Sequence, residues 1–465
     1  MQLFQIPGSE GVMSNTDFEI YREFSFDEPL INLRKVKQLW HGRSRSIRAV
    51  TTVIRIERSY ARLNKKTKGW PKEQYKSLYK ELHLKNADLL FRLCKNNGAT
   101  WVKLAQFLSA RPDILPKAYI EALKPLQNEN RRIPFATLVP VLQEELGWNW
   151  RDKFEWVDET PIATASIAQV HKARTKEGID VAIKIQQPHV RDLFDEDFTI
   201  FQLLSRALRG RLPGNLDIEQ MVMALLEMTA EELDFRNEER NTRDFGALKH
   251  NPRIRVPVLV EHLCTKRVIV TEWITGSRLV EHLDRSNKEE AKDLLSVLQD
   301  SYMQQITQFG KFQADPHPGN FLVTPEKEIF IVDYGTIGRL TPEETMNYSM
   351  LIMVLLGHME GDIGQLLAKA GFQGNIDNST LEQLSQYVVR TKKPTQKVQV
   401  EEVIAQLLET LQEANIVVPD QFVALGRVIG TLGGFMQTYK VPFTWIPGGG
   451  GRKKNKDEQG QQAAQ

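Results

Sequence analysis

Asp315, Asn320 and Asp333 are the residues whose types and spacing most directly suggest chemistry. They lie in Phe312-Gln313-Ala314-Asp315-Pro316-His317-Pro318-Gly319-Asn320 and, shortly after, in Ile331-Val332-Asp333-Tyr334-Gly335. An Asp, an Asn five positions on and an Asp-aromatic-Gly form the acidic half of a site for phosphoryl transfer from a metal-bound triphosphate. In such chemistry the protein mainly positions groups and neutralises phosphate charge. Asp315 would orient or deprotonate the attacking hydroxyl or water. Asn320 and Asp333 would be oxygen ligands for Mg²⁺, a hard cation that takes such donors. Either motif alone reads as an ordinary turn. In this order and spacing the two are hard to dismiss as turns.

The elements around them must bring these groups together. Phe321-Leu322-Val323, a turn through Pro325 and then Ile329-Phe330-Ile331-Val332 read as a β-hairpin, which returns both metal ligands to one end. Upstream, a small-residue turn containing Ala163, Ala165 and Ser166 enters an alternating strand, and a second strand, Val181-Ala182-Ile183-Lys184-Ile185, follows. A phosphate-covering loop followed by a strand with a phosphate-binding lysine has this order. Such a lysine needs a helix carboxylate to hold it on the phosphates. Within the helical stretch Ala230–Asn241, Glu238 is the choice. At about 100° per residue Glu232 points away from Glu238 and needs another partner. Val268-Ile269-Val270-Thr271-Glu272-Trp273-Ile274-Thr275-Gly276 reads as a strand running into a hinge, where backbone groups of Glu272 and Ile274 would hydrogen-bond adenine.

At 465 residues, with 41% hydrophobic and 26% charged residues, the chain can bury more than one core. The two cysteines, Cys94 and Cys264, imply no disulfide framework and point to a reducing compartment. A net charge of +2 argues against whole-molecule attraction to polyanions, and no nucleic-acid partner is expected. The first thirty residues are acidic, without an apolar signal core, and Met13 is a second candidate start. The longest apolar run, Met350–Leu356, is far short of the roughly 20 residues a membrane span needs. The expected location is cytoplasmic, with peripheral membrane contact left open.

From Arg34 to Lys76 the chain is basic, with interleaved apolar residues. This is an amphipathic stretch that either meets an anionic membrane surface or, the slightly favoured reading, packs its apolar face on the protein. Residues from Ala87 to Gly147 read as helices broken by turns and contain Trp101-Val102-Lys103-Leu104-Ala105-Gln106. The Gly-rich, then charged and Gln-rich end is expected to be disordered.

Together these motifs resemble the UbiB/AarF family of atypical, protein-kinase-like kinases associated with ubiquinone and related isoprenoid-quinone metabolism. The likeness runs from about Lys85 to Lys440, through the Lys103/Gln106 helix, the alanine-rich loop, Lys184, Glu232-Leu233-Asp234, Glu238, the Glu272 hinge, Asp315, Asn320 and Asp333. It implies an α+β, bilobal protein-kinase-like fold with a helical N-terminal extension packed over the active-site cleft. The boundaries expected are 1–84 for a variable segment, 85–150 for the extension, 151–275 for an N-lobe, 276–445 for a mainly helical C-lobe and 446–465 for a disordered tail. The resemblance also implies that Lys103 contacts Glu232, with Gln106 and Asp234 in the same motif. Gln313 stands where the family more usually has His, and Ala105 where it has Gly. ATP or ADP with Mg²⁺ are the cofactors implied. The acceptor would be a small molecule or lipid-linked compound, with a quinone precursor left open. A nucleotide-binding adaptor is the alternative. A protein kinase fits less well, since Thr341-Pro342-Glu343 follows Gly335 too closely to bound a peptide-docking segment.

Overall fold

The computed structural model describes residues 43–109, 115–127, 132–188, 190–208, 218–355, 359–374 and 416–443, residue 111, and isolated positions between 380 and 414. The acidic beginning, the start of the basic stretch and the expected disordered tail lie outside the described residues.

Four helices come first: α1 (Arg43–Thr67), α2 (Lys72–Asn97), α3 (Ala99–Ser109) and α4 (Lys117–Leu123). Gly98, at φ +63°, ends α2 and lets α3 begin one residue later, a backbone angle that glycine adopts without penalty. In α1 Ala49 and Tyr60 are buried, whereas Ile47, Val50 and Ile54 are exposed.

Helix α5 (Phe135–Leu146) leads into the N-lobe strands β1 (Phe154–Val157), β2 (Ala163–Thr164), β3 (Ala168–Thr175) and β4 (Asp180–Gln186). Helices α6 (Val190–Leu208), α7 (Ile218–Glu232) and α8 (Phe235–Gly246), the short strand β5 (Ile254–Arg255) and strand β6 (Val268–Glu272) follow. The N-lobe sheet is antiparallel, in the order β1-β3-β4-β6, with β2 folded onto β3. Val181, Ile183 and Ile185 of β4 are fully buried and share a core with Leu138 and Leu142 of α5. Strand alternation therefore turns Lys184 to the other face. On that face the extension and the lobe share one core, in which Trp101 and Leu108 of α3 pack with Phe194, Phe198, Leu225 and Phe235.

The C-lobe holds β7 (Ser277–Arg278), α9 (Leu279–Arg285), α10 (Lys288–Gln304), β8 (Lys311–Gln313), β9 (Phe321–Val323), β10 (Ile329–Ile331), β11 (Ile337–Arg339), α11 (Pro342–Leu355), α12 (Ile363–Lys369) and α13 (Asp420–Thr438). Strands β9 and β10 form the antiparallel hairpin that the sequence predicts, with Ile331 opposite Phe321. Strand β5, which falls inside the expected N-lobe span, instead pairs in parallel with β10 in the sheet β5-β10-β9-β7. The chain thus visits the C-lobe once before it crosses for good. The lobe's two small sheets are covered by α10, α11 and α13 around a core that includes Leu298, Phe321, Ile331, Tyr348 and Val428.

Candidate active site

Lys184 Nζ lies 2.7 Å from both carboxylate oxygens of Glu238 and 3.0 Å from Asp333 Oδ2. Local structure explains each partner. Alternation in β4 aims the lysine, and α8 delivers Glu238 from its first turn. Asp234 caps that helix by accepting the Arg236 N–H at 3.1 Å, a standard way to satisfy an orphan N-terminal donor. The Phe235 N–H bonds the Lys266 carbonyl at 2.9 Å, and Lys184 Nζ stands 5.5 Å from the Phe235 ring centre.

One cation thus faces two carboxylates. Burial works to lower the Lys184 pKa, but Asp333 and Glu238 outweigh it and hold the ammonium charged. Burial pushes Glu238 up to about 7 against the pull of Lys184, with Asp333 adding to the rise. Burial also works to raise Asp333, yet Lys184 and the Gly335 N–H, 2.8 Å from Oδ1, hold it below the usual carboxylate range. With both carboxylates ionised the trio carries one surplus negative charge beside Lys184.

Asn320 Nδ2 donates to the Asp315 carbonyl at 3.0 Å, which leaves its Oδ1 to act as an acceptor or ligand. The Val332 N–H bonds the Asn320 carbonyl at 2.9 Å and ties the two ends of the hairpin together. Asp315 is exposed as a residue, yet protein crowds its carboxyl enough for desolvation to raise its pKa, with Arg427 opposing that rise and Asp333 adding to it.

Gln313 is fully buried and bridges both acidic loops. Its Nε2 donates to the Asp315 carbonyl at 2.7 Å and the Asp333 carbonyl at 3.3 Å, while its Oε1 accepts from the Tyr302 hydroxyl at 2.7 Å. Its backbone N–H bonds Gln305 Oε1 at 3.0 Å, from the π-helical turn Gln305–Phe309 that follows α10. A primary amide has two N–H donors and can serve both carbonyls at once. The sequence marked Gln313 only as a departure from family habit.

Lys103, buried on α3, forms an ion pair with Glu232 at the end of α7, so the extension closes on the lobe beside the cleft. Gln106 is half-buried. Asp234 has Arg236 and Lys266 as partners, not the extension. Ala163, Ala165 and Ser166 lie in a tight hairpin in which the Ala165 N–H bonds the Ala168 carbonyl at 2.8 Å, and none of these residues has a positive φ. At the hinge, the Glu272 N–H bonds the Val258 carbonyl at 2.8 Å and its carboxylate accepts the Val258 N–H at 2.9 Å. The Trp273 N–H is taken by Asp180 at 2.9 Å, so the Glu272 carbonyl and the Ile274 N–H are the hinge groups outside these bonds.

Arg427 of α13 went unnoticed in the sequence, although an arginine among Val423, Leu425, Val428 and Ile429 is itself a signal, since charges rarely enter an apolar helix face without a purpose.

Two lobes joined by a hinge, a strand lysine held by a helix glutamate, and a hairpin flanked by Asn320 and Asp333 define a protein-kinase-like protein. Residues 125–366 match the ABC1 atypical kinase-like domain, and the chain belongs to this UbiB/AarF family. Lys103 and Gln106 precede the matched stretch. An uncharacterized protein in the hydrogenase 1 5′ region of Clostridium pasteurianum is 31% identical over 309 residues, 65% of this chain and 58% of that one. AarF domain-containing protein kinase 1 of Mus musculus is 31% identical over 322 residues, 68% of this chain and 61% of that one. The chain therefore spans about three fifths of the length of these curated relatives. Among solved structures, the complex of Rv3197 with erythromycin from Mycobacterium tuberculosis superposes with a TM-score of 0.53 at 26% identity, covering 80% of this chain and 95% of that one.

Proposed function

We propose that this chain is an ATP-dependent atypical kinase or ATPase that binds Mg-ATP between its lobes and acts on a small-molecule or lipid-linked acceptor in isoprenoid-quinone biosynthesis. The observation that carries the reading is the single lysine within hydrogen-bond distance of both Glu238 and Asp333. This is the arrangement that holds a lysine on the α/β-phosphates in kinases. Family resemblance alone supplies the pathway.

Among the described residues no group of three or more His, Cys, Asp or Glu could cage a metal. Asn320 and Asp333 suit an ion completed by phosphate and water, as Mg²⁺ in such sites is. Bound there, Mg²⁺ would neutralise charge on the β- and γ-phosphate oxygens. Lys184 holds the α/β-phosphates, Glu238 holds Lys184, and the Glu272 carbonyl and Ile274 N–H receive adenine. Asp315 takes the proton of the attacking hydroxyl or water as its oxygen bonds to the γ-phosphorus. The β–γ bridging P–O bond breaks and ADP departs with the electron pair.

The adaptor reading draws on one observation: the Ala165 N–H is spent on Ala168 instead of facing a phosphate. The protein-kinase reading is disfavoured because the chain passes from β11 directly into α11, with no long segment for a peptide to dock on.

Purified protein assayed for Mg²⁺-dependent ATP hydrolysis, with and without anionic liposomes and a quinone-precursor phenol, tests the reading. Asp315→Asn should cost roughly a hundredfold or more in turnover while nucleotide binding persists. Asp333→Asn should remove Mg²⁺-dependent binding. Unchanged ATPase in Asp333→Asn would sink the assignment, and nucleotide binding without turnover in every condition would favour the adaptor.

A further inference from the structure

Helix α13 meets the extension at its first residue, where Arg111 Nη1 lies 2.5 Å from Asp420 Oδ1. Arg427 lies seven residues on, about two turns, and so shares that face of the helix. Its Nε is buried and has no hydrogen-bond partner. No ion pair joins its guanidinium to Asp315 or to another described carboxylate. Buried charges are normally paired, and a guanidinium brings a fork of N–H donors that matches a phosphate or carboxylate. The charges that act on it are Asp315, which attracts, and Arg111, which repels. Seen from Asp315, Arg427 is the leading cation, followed by His317 and Lys103. An unpaired arginine and the acid that would receive the acceptor's proton therefore lie within electrostatic reach of each other with no ion pair between them, amid further positive charge. Lys184, with its own two carboxylates, is occupied elsewhere.

We propose that Arg427 and Asp315 bound an acceptor subsite, in which the guanidinium holds a phosphate group of the acceptor and the acceptor's hydroxyl is presented to Asp315. The proposal rests on the phosphotransferase reading above and narrows the acceptor to a compound that carries both a phosphate and a hydroxyl. That chemistry could come from a soluble phosphate ester or from a lipid headgroup.

The test is calorimetric titration of the full chain with Mg-ADP bound. The probes are inorganic phosphate, sn-glycerol 3-phosphate, and phosphatidylcholine vesicles with and without phosphatidylglycerol. The wild type should bind a soluble phosphate probe or the phosphatidylglycerol vesicles, and whichever arm responds identifies the source. Arg427→Gln should weaken that binding by about tenfold or more, the usual effect of losing a hydrogen bond to a charged group. Arg427→Lys should retain part of it, and Mg-ADP affinity should be unchanged in both variants. Should Arg427→Gln lose Mg-ADP affinity through misfolding, the Lys variant decides. Wild-type protein that binds none of the probes, or Arg427 variants that bind them equally well, would overturn the subsite. Wild-type failure to bind Mg-ADP would instead overturn the nucleotide reading itself.

Discussion

At Glu238 charge and stability are linked. Its pKa stands at about 7 in the folded protein, against an ordinary 4.5, because burial disfavours the carboxylate more than Lys184 favours it. Between those two values the folded chain binds more protons than the unfolded one, so stability falls as pH rises. The contribution is complete below 4.5 and is lost as pH passes through 7. Glu238→Gln removes the titration while keeping the shape, so its unfolding midpoint in urea should vary less with pH across that window than the wild type's. Equal slopes in the two proteins would assign the titration elsewhere. The pairing of Lys184 with Glu238 was legible from the alternation of β4 and the order of the motifs, whereas the single helix that the sequence suggests over Ala230–Asn241 is broken by the Asp234 cap, so Glu232 and Glu238 sit on separate helices. The bridge made by Gln313 was not legible. It requires two loops, a tyrosine and a π-helical turn to converge, and no local pattern encodes that convergence.

Among the elements, the pair α1 and α2 carries its own pH response. The Tyr60 hydroxyl lies 2.6 Å from His83 Nδ1 and 2.8 Å from the Tyr119 hydroxyl, which joins α1, α2 and α4 through one small polar cluster. Burial lowers the His83 pKa below 6.5, so the folded chain binds fewer protons than the unfolded one in the window below that value. This contribution is present above 6.5 and is lost as pH falls through the folded value. The wild type should therefore lose more of its melting temperature than His83→Gln between pH 7 and about 5.5. An equal loss would place the titration on another group, since burial also lowers the pKa of fully buried His171 and half-buried His250. At this scale the hairpin of β9 and β10 and the order of strands and helices could be read from the sequence, since runs and turns are local. The pairing of β5 with β10 could not, because a two-residue strand carries no periodicity and its partner lies in the other lobe.

Across the whole molecule the extension is continuous with the N-lobe. Fully buried Asp197 of α6 pairs with Arg45 of α1 and accepts Trp101 Nε1–H from α3 at 2.9 Å, within the core that α3 shares with α6 and α7. Removing one side of a buried ion pair costs on the order of 3–5 kcal/mol. A chain cut back to begin at residue 125, with α13 kept, strips Asp197 of both partners and bares that core, so it should aggregate or bind an apolar dye where the full chain does not. A monodisperse, folded fragment would show the extension to be an accessory. The excursion of β5 bears on motion. Beside the Ile254–Arg255 strand, Arg253 reaches Asp293 at 2.7 Å and the Lys327 carbonyl at 3.1 Å, which fastens this segment to the C-lobe. The backbone therefore passes between lobes on each side of β5 and again after β6. A door hung on several hinges swings about their common line and resists twisting, so nucleotide exchange should proceed by opening along one axis, with little rotation of one lobe over the other.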